Sequence, residues 1–437
     1  MRKMEKDLTN TIEKHFDAKE TKEFMVKALQ IPHSNTKYWE REPQLHAYVQ
    51  NFIRPLFDDV GIETNVDDAG HLIARMGKKK TKKTVMIVQH TMAWAGGEGE
   101  EAPCSTCHDI GEVVDAKKLD IKGFQPEKYG VEGDVVWGRD GTECASPLIS
   151  AVEAARILAR SGVEIPGEVI FVVTAGGHQA SSGNIFHVVH NDEVKADMAI
   201  HSGWYGNIII GGMGRMDIRA TIWGQVSHSS FYDEAQGLNA IDGAMTLLNR
   251  LKKIMPYPPG PKDPDIGVGP KLIPIAMESY PKPPTFDQGL GSAGHTRQGM
   301  VKIAFDRRVS VLENIDDAMN QMKQTIGDLS PFKYRLERGA YHFPWKTPGG
   351  KDAPVAKTLE KSAKIFCKTP PKIGYGTAAW DMGAVNRLGI PCVMYGSGGP
   401  MILKPPVGPH TENEFAVLNW VYDVAKVYAH WAVTATA

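Results

Sequence analysis

The chain contains little cysteine, almost no net charge and no long hydrophobic segment. Five cysteines, an odd number among 437 residues, do not form a disulfide framework. A formal net charge of -1 gives no electrostatic reason to expect nucleic acid or an anionic membrane as a partner. No apolar run approaches the length that spans a membrane, and the N-terminal residues lack the apolar core of a signal peptide. We therefore expect a soluble, cytoplasmic protein that acts on a small molecule.

Three possible cofactor signals are incomplete. The turn at Gly176 and Gly177 lacks both the G-x-G-x-x-G spacing and the lysine of a phosphate-binding loop. Cys104–His108 matches the C-x-x-C-H signature of haem attachment, but that chemistry normally accompanies export, and two cysteines with one histidine fall short of a four-ligand zinc site. His187 and His190 lie within one predicted helix, away from any strand end, and we interpret them as residues of the helix surface.

The length and the order of the elements predict an α/β protein with two domains. A chain of 437 residues is too long for one simple core. Helical patterns over 42–61 and 146–162 alternate with the apolar strands HLIARM (71–76), TVMIVQH (84–90) and EVIFVVT (168–174). This alternation favours a mostly parallel sheet with helices on both faces. The lysine-rich stretch between the first two strands is predicted to be the tip of a hairpin that joins them.

The pattern changes near residue 214 and changes back near residue 341. We assign residues 1–213 and 341–437 to a catalytic, metal-binding domain that ends in a helix over 414–431, and residues 214–340 to an inserted α+β domain. The elements predicted for the insertion are strands over 214–225, 299–311 and 332–339, helices over 239–254 and 314–329, and a proline-rich loop over 256–284.

Histidines and one carboxylate lie near the ends of successive predicted strands. His90 ends one apolar strand, His178 follows the glycine turn after another, and His201 follows a third, while Glu143 and His410 lie among small residues at similar places. Side chains at the carboxyl ends of parallel strands converge on one edge of a sheet. Imidazole together with carboxylate suits Zn, Mn, Fe or Co better than calcium. The sequence therefore predicts that these five residues bind a divalent transition metal.

The order of motifs resembles the family of two-metal metallopeptidases that includes aminoacylase, glutamate carboxypeptidase and succinyl-diaminopimelate desuccinylase. The similarity runs nearly from end to end. The motifs that carry it are HTM (90–92), GRDGTE (138–143), TAGGHQASSG (174–183), GQVSHSS (224–230), GLNAI (237–241), DRR (306–308) and PHTENE (409–414). The resemblance implies a dinuclear metal centre, hydrolysis of an amide or related C–N bond, and an inserted lid through which the chain forms a dimer or a larger homo-oligomer. It also implies that His228 and Asn239 are catalytic residues contributed by that lid.

Several residues depart from the family pattern. Met92 stands where the family has the Asp that orients the first histidine, and Glu143 replaces the metal-bridging Asp. Of the two adjacent glutamates of the family, the general base corresponds to Gly177 and the metal ligand to His178. The acidic ligand after the next strand falls at or within two positions of His201. A site with more imidazole and less negative charge should hold its metal weakly, as one or two ions.

These departures favour a reaction that does not depend on the missing glutamate. Amide hydrolysis needs a group that delivers a proton to the leaving amine, and Gly177 cannot do so. A metal that lowers the pKa of bound water still suffices for attack on a carbon that its substituents make electrophilic. The pattern resembles a divergent branch of the family that replaces an aromatic amino group by hydroxyl. We therefore hypothesise hydrolytic deamination of an aromatic amine activated by a nitro group, with His228 hydrogen-bonded to the charge that develops.

The same hypothesis assigns substrate-binding residues. Gly177 leaves space for a flat ring, and an arginine would bind a carboxylate on the substrate. Arg215 and Arg308 are our candidates, and Arg219 and Arg297 are the alternatives.

Two alternatives stay open at this stage. The first is an ordinary amidase or peptidase acting on N-acyl amino acids or dipeptides, in which Glu98, Glu100 or Glu101 replaces the missing base. The second is a family member without catalytic activity, which would take up no metal. The histidines and the glutamate kept at the ligand positions argue against loss of activity.

Overall fold

The computed structural model describes most of the chain. The described residues are 2–31, 43–78, 82–91, 109–138, 141–176, 183–190, 194–228, 238–280, 298–399, 403–404, 406–409, 411 and 413–437.

Helices occur throughout the described residues. The α-helices are α1 (Arg2–His15), α2 (Ala18–Gln30), α3 (Pro43–Tyr48), α4 (Arg54–Asp58), α5 (Ser146–Ser161), α6 (Gly183–His190), α7 (Ala240–Leu251), α8 (Ile315–Ile326), α9 (Pro354–Phe366), α10 (Met382–Arg387) and α11 (Leu418–Thr436). Short π-helical turns cover Val49–Ile53 and Gly141–Ala145, and 3-10 turns cover Ala116–Lys118, Pro126–Tyr129 and Gly350–Asp352.

The strands found among the described residues form four sheets. They are β1 (Thr64–Val66), β2 (Leu72–Gly77), β3 (Thr84–His90), β4 (Val113–Asp115), β5 (Asp134–Trp137), β6 (Glu168–Thr174), β7 (Met198–Gly203), β8 (Ile208–Ile209), β9 (Gly211–Gly212), β10 (Gly214–Trp223), β11 (Lys271–Tyr280), β12 (Met300–Val309), β13 (Lys333–His342), β14 (Trp345–Lys346), β15 (Ile373–Gly374), β16 (Cys392–Gly396) and β17 (Phe415–Val417). A two-stranded ladder joins β14 and β9, and a small sheet has the order β17-β5-β4.

The chain divides into two compact units. Unit 1 comprises Met1–Gly211, Lys346–Gly376 and Asp381–Ala437, and unit 2 comprises Gly212–Trp345 with Thr377–Trp380. The domain boundaries predicted from the sequence lie after residues 213 and 340.

The largest sheet belongs to unit 1 and has eight strands in the order β1-β2-β6-β3-β7-β16-β8-β15. The neighbours β6-β3, β3-β7, β7-β16 and β8-β15 run parallel. All residues of β6 are buried, and in β3 only Thr84 is partly exposed. Continuous apolar runs are typical of parallel strands that are covered on both faces. The α/β class with a mostly parallel sheet, predicted from the sequence, is therefore confirmed.

Helices α5 and α11 form the centre of the packed layer on this sheet. Thirteen residues of α5, from Ser146 to Leu158, are buried, and α5 ends at Gly162, which adopts a left-handed conformation with φ of 60°. The chain passes through β17 before α11 begins at Leu418, so the prediction of one continuous helix over 414–431 was wrong at its start. The three residues of β17 pair antiparallel with β5, which satisfies their backbone groups in a sheet instead. Among the described residues, no helix combines the length and apolar character needed to cross a membrane.

The lysine-rich stretch after β2 is not the tip of a hairpin. Strand β6 lies between β2 and β3, antiparallel to the first and parallel to the second. The prediction failed because every residue of β6 is buried, and a position between β2 and β3 gives this apolar strand a neighbour on each side. Two strands that follow one another in the sequence thus do not pair.

Unit 2 contains an antiparallel sheet in the order β11-β12-β10-β13, packed against α7 and α8. Every second residue of β10, namely Met216, Ile218, Ala220 and Ile222, is fully buried. This alternation is the pattern expected of a sheet with one covered face. The predicted proline-rich loop over 256–284 was wrong over Lys271–Tyr280, which forms β11 at the sheet edge. A proline is tolerated there, and the register shifts between Pro274 and Ala276.

Candidate metal centre

Two buried histidines lie side by side on adjacent parallel strands of unit 1. His90 is the last residue of β3, and His201 lies in β7, opposite Val88 of β3. Their ring centroids are 5.7 Å apart, and both residues are at most 2% exposed. Strand register thus brings together two side chains that are more than a hundred positions apart in the sequence.

Both imidazoles are held in the same way. Nδ1 of His90 donates to the carbonyl oxygen of Thr91 at 2.8 Å, and Nδ1 of His201 donates to the carbonyl oxygen of Ser202 at 2.9 Å. A carbonyl oxygen only accepts, so in each neutral ring the proton is on Nδ1 and the lone pair is on Nε2. Metal-binding histidines are usually oriented by such a hydrogen bond from the other ring nitrogen. This pair therefore has the tautomer that a metal ligand requires.

The turn that carries Glu143 lies against β3, and the start of α5, which follows it directly, lies against β7. Gln89, next to His90, donates from Nε2 to the carbonyl oxygen of Cys144 at 3.4 Å, and Ser202, next to His201, donates from Oγ to the carbonyl oxygen of Pro147 at 2.8 Å. Glu143 itself is 5% exposed. A buried carboxylate is costly unless it is paired, hydrogen-bonded or bound to a metal.

A second buried carboxylate, which sequence reasoning missed, belongs to Asp381. Its Oδ2 lies 3.8 Å from Nε2 of His201, and the residue is 3% exposed. Asp381 precedes α10, where an aspartate normally caps the helix with its side chain, but it makes no such cap bond. The sequence signal was the Asp in AWDMGAV, which is easily taken for an ordinary helix cap. The fold instead brings this carboxylate to the histidine of β7.

The turn after β6 is anchored by three different segments. The backbone N–H of Ala175 donates to Nδ1 of His71 at 3.0 Å, and that of Gly176 donates to Oγ1 of Thr91 at 2.8 Å. Asn184 of α6 donates from Nδ2 to the carbonyl oxygens of both Ala175 and Gly176, at 3.1 and 2.8 Å. Gly176 has a φ of 78°, which favours glycine. The segment that bears the predicted ligand His178 begins directly after this turn.

Some predicted residues lie outside the described part of the chain. They are Met92, Glu98, Glu100, Glu101, Cys104, Cys107, His108, Gly177, His178, Arg297 and His410. The roles assigned to them from the sequence stay predictions.

The predicted residues of unit 2 have partners of their own. Asn239 caps α7, because its side chain accepts from the backbone N–H of Ile241 at 3.2 Å. Arg215 makes a two-bond ion pair with Asp217 at 2.9 and 3.1 Å. His228 is exposed.

Arg308 is engaged in the same manner as Arg215. It pairs with Asp306 through Nε and Nη2, at 2.9 and 2.8 Å. The register of β10 and β12 places Arg215 opposite Arg308. Each guanidinium therefore already binds a carboxylate of its own strand.

The described donors of unit 1 fit a divalent transition ion. Two imidazoles with the lone pair on Nε2 and the buried carboxylate of Asp381 are a mixed nitrogen and oxygen set. Such a set suits Zn, Mn, Fe or Co and not a calcium cage of oxygen ligands. The fold and these donors together indicate a metal-dependent hydrolase.

Residues 112–434 match the family described as Peptidase family M20/M25/M40. The chain belongs to this family, whose members are metal-dependent hydrolases of C–N bonds, so the predicted resemblance and enzyme class are confirmed. No curated protein matches the sequence.

Solved structures share the fold at low sequence identity. Human carnosine dipeptidase 1 has a TM-score of 0.71 at 14% identity, with 98% of this chain and 99% of that chain covered. An amidase of the hydantoinase/carbamoylase family from Burkholderia vietnamiensis has a TM-score of 0.64 at 13% identity, covering 97% and 98%. A dinuclear metal-binding peptidase from Bacillus subtilis has a TM-score of 0.55 at 12% identity, covering 96% and 98%. These similarities establish the fold of both units.

Proposed function

We propose that this family member is a metal-dependent aminohydrolase that replaces the amino group of an electron-poor aromatic ring by hydroxyl. The substrate to test first is 5-nitroanthranilate. Metal dependence is supported by one observation above all, the paired orientation of His90 and His201 by neighbouring carbonyl oxygens.

Residues from separate segments would hold the metal. His90, His201, Glu143 and Asp381 are the described candidates, and His178 and His410 stay predicted ligands. A divalent ion bound there supplies a nucleophile at neutral pH by lowering the pKa of its water. The hydrogen bonds from Nδ1 keep both rings in one tautomer and orientation, so the donors need little rearrangement.

The choice of substrate is supported by Gly177, which stands where the family has its general base. In the proposed reaction, water adds to the ring carbon that carries the amine, and a C–O bond forms. The nitro group para to that carbon takes up the negative charge. The C–N bond then breaks, the nitrogen takes a proton and ammonia leaves, so that one amine and one water give one phenol and one ammonia. The electron-poor ring thus stabilises the charge formed when water adds. For this reason the reaction depends less on a general base than amide hydrolysis does.

Residues of unit 2 complete the proposal. His228 would donate a hydrogen bond to the charge on the substrate, and Asn239 would assist it. Arg215 or Arg308 would bind the substrate carboxylate. Because each arginine now pairs with an aspartate, binding would require either sharing or exchange of that partner.

The second candidate function is hydrolysis of an amide or peptide bond. It is favoured by Asp381, a buried carboxylate beside His201 that could act as the base that Gly177 lacks. Structures named as a dipeptidase and an amidase share the fold, which also fits this alternative.

Ammonia release distinguishes the two candidates. Protein stripped of metal would be assayed with and without added Mn or Zn on 5-nitroanthranilate, on anthranilate, and on a panel of N-acyl amino acids and dipeptides. We expect metal-dependent ammonia and hydroxylated product from the nitro compound alone. Anthranilate is the matched control, because it keeps the amine and the carboxylate but lacks the group that accepts charge.

Other outcomes assign the protein differently. Turnover of the acyl or dipeptide panel without turnover of the nitro compound would reject the deamination and favour Asp381 as base. No turnover on any substrate together with no metal uptake would identify an inactive family member.

A further inference from the structure

A second group of metal-ligand side chains lies between the turn after β1 and helix α6. Nε2 of His187 lies 3.3 Å from Oδ2 of Asp67 and 3.4 Å from Oδ1 of Asp68. One ligand atom from each of the three residues lies within 4.8 Å of the other two. None of these residues belongs to the centre described above.

The structure of the turn aims Asp67 at this point. Oδ1 of Asp67 accepts the backbone N–H of His71 at 2.7 Å, and the backbone N–H of Asp67 donates to the carbonyl oxygen of His71 at 2.9 Å. Gly70 closes the turn with a φ of 82°. These bonds direct Oδ2 towards His187, with a side chain that is only 5% exposed.

The buried oxygen of Asp67 has little compensation. Oδ2 accepts no hydrogen bond from any residue that the structure describes. Among the described residues, no lysine or arginine forms an ion pair with Asp67 or Asp68. His187 is the basic group that both carboxylates contact. Two carboxylates against one imidazole leave a local excess of negative charge whether or not the ring is protonated. Burying such a carboxylate is costly, and a bound cation would offset that cost.

We propose that Asp67, Asp68 and His187 bind a divalent transition ion, Zn or Mn, at a site separate from the catalytic one. One imidazole and two carboxylates are ligands that these ions accept, whereas calcium prefers an all-oxygen cage. Asp67 would bind from the buried side, and Asp68, whose side chain is 92% exposed, from the solvent side. His187 belongs to the HxxH pair that the sequence assigned to the helix surface, and this proposal gives it a role.

The ion would fasten α6 to the turn after β1. Asn184 of α6 donates to the carbonyl oxygens of Ala175 and Gly176, and His71 of the turn accepts from Ala175. The proposed ligands therefore lie on the two elements that hold the start of the segment with His178. Binding at this site should stabilise that anchor against opening, without a direct part in the reaction.

Zinc content and histidine modification test the proposal together. Full-length protein equilibrated with micromolar Zn would be compared with His187→Ala, with Asp67→Asn and with His190→Ala. Asp67→Asn keeps an oxygen for the backbone N–H of His71 but removes the charge. His190 lies on the same helix and is exposed, so it is the matched control. The same variants would also be made in a His90→Ala/His201→Ala background, in which the catalytic centre contributes less to the measured zinc content.

We expect one zinc ion fewer per chain in the first two variants and no change in His190→Ala, in both backgrounds. Zinc at roughly ten times the dissociation constant should also slow modification of His187 by diethyl pyrocarbonate about tenfold, because only the unoccupied fraction reacts, and leave His190 unaffected. Equal zinc content in all variants, or equal modification of His187 with and without zinc, would overturn the proposal. Neither readout uses activity, so the result is independent of the substrate proposed above.

Discussion

His201 and Asp381 face each other at 3.8 Å between Nε2 and Oδ2, although 180 positions separate them in the sequence. One lies on a central strand, and the other precedes a short helix. This contact adds a carboxylate to the pair of buried imidazoles, those of His90 and His201.

Removal of the charge on Asp381 should weaken metal binding. Asp381→Asn keeps the shape of the side chain, and we expect a loss of about 10- to 100-fold in metal affinity, the usual effect of losing a supporting carboxylate. Competition with a chelator during metal titration measures this loss. Asp381→Glu, which restores the charge, should recover part of the affinity. If Asp381→Asn binds metal as tightly as the parent protein, the Asp381 carboxylate has no part in metal binding.

Restoring the glutamate of the family at position 177 should change the substrate that is used. We expect Gly177→Glu to lower ammonia release from 5-nitroanthranilate, because the side chain would fill space assigned to the ring and add a negative charge near the substrate carboxylate. Gly177→Ala is the control for bulk alone, and its effect should be smaller. Steady-state rates on the nitro compound and on the acyl panel provide the comparison. Unchanged deamination by Gly177→Glu would refute the role given to Gly177.

A buried ion pair in unit 2 should contribute strongly to stability. The guanidinium of Arg307 is fully buried and pairs with Glu313, and burial lowers the pKa of Arg307. Glu313→Ala would leave that charge without its partner, at an expected cost of about 3–5 kcal/mol in the free energy of unfolding. Urea unfolding followed by circular dichroism measures it.

The exposed pair of Arg335 and Glu337 provides the comparison for that experiment. Its side chains are 62% and 44% exposed, so Glu337→Ala should cost less than about 1 kcal/mol. If the two variants lose stability equally, burial does not determine the strength of the Arg307 pair.

The buried histidine of α11 should make stability depend on pH. His430 is fully buried, and its Nδ1 lies 2.9 Å from Oγ of Ser362. Burial lowers its pKa to about 4. The unfolded chain binds a proton near the ordinary pKa of about 6.5, so the folded state loses stability as the pH falls from there towards 4.

His430→Asn removes this titration and keeps a polar atom for Ser362. We expect the midpoint of thermal unfolding to fall less between pH 7 and pH 4.5 in this variant than in the parent protein, by differential scanning calorimetry. Parallel pH profiles for the two proteins would show that His430 does not account for the loss.

The strongly patterned elements could be predicted from the sequence. Strands β3 and β6 are nearly continuous apolar runs, and α5 combines amphipathic spacing with a glycine stop, so each signal is contained within its own segment. Strand β11 was missed because Pro274 argues against a strand, and only its place at the sheet edge makes the proline acceptable. The order of β2, β6 and β3 depends on long-range pairing, which the local pattern of the lysine-rich stretch does not contain.

The candidate site was predictable where a ligand follows a strand. His90 and His201 could be found in this way, because the carboxyl ends of parallel strands share one edge of the sheet. Asp381 could not be found in this way, because aspartate is common before helices and its contact with His201 depends on tertiary packing. His187 was set aside for the same reason, since only the folded chain brings the turn with Asp67 and Asp68 to α6.

The anchored turn of Ala175 and Gly176 has a consequence for how new chemistry can arise in this fold. Its backbone groups are held by the side chains of His71, Thr91 and Asn184, and none of these contacts uses the side chain at position 177 or 178. Replacement of a glutamate by Gly177, or of another by His178, therefore leaves the hydrogen bonds that hold the start of this segment unchanged. Support and reactivity are encoded by different residues, and natural or laboratory selection can vary one while it preserves the other.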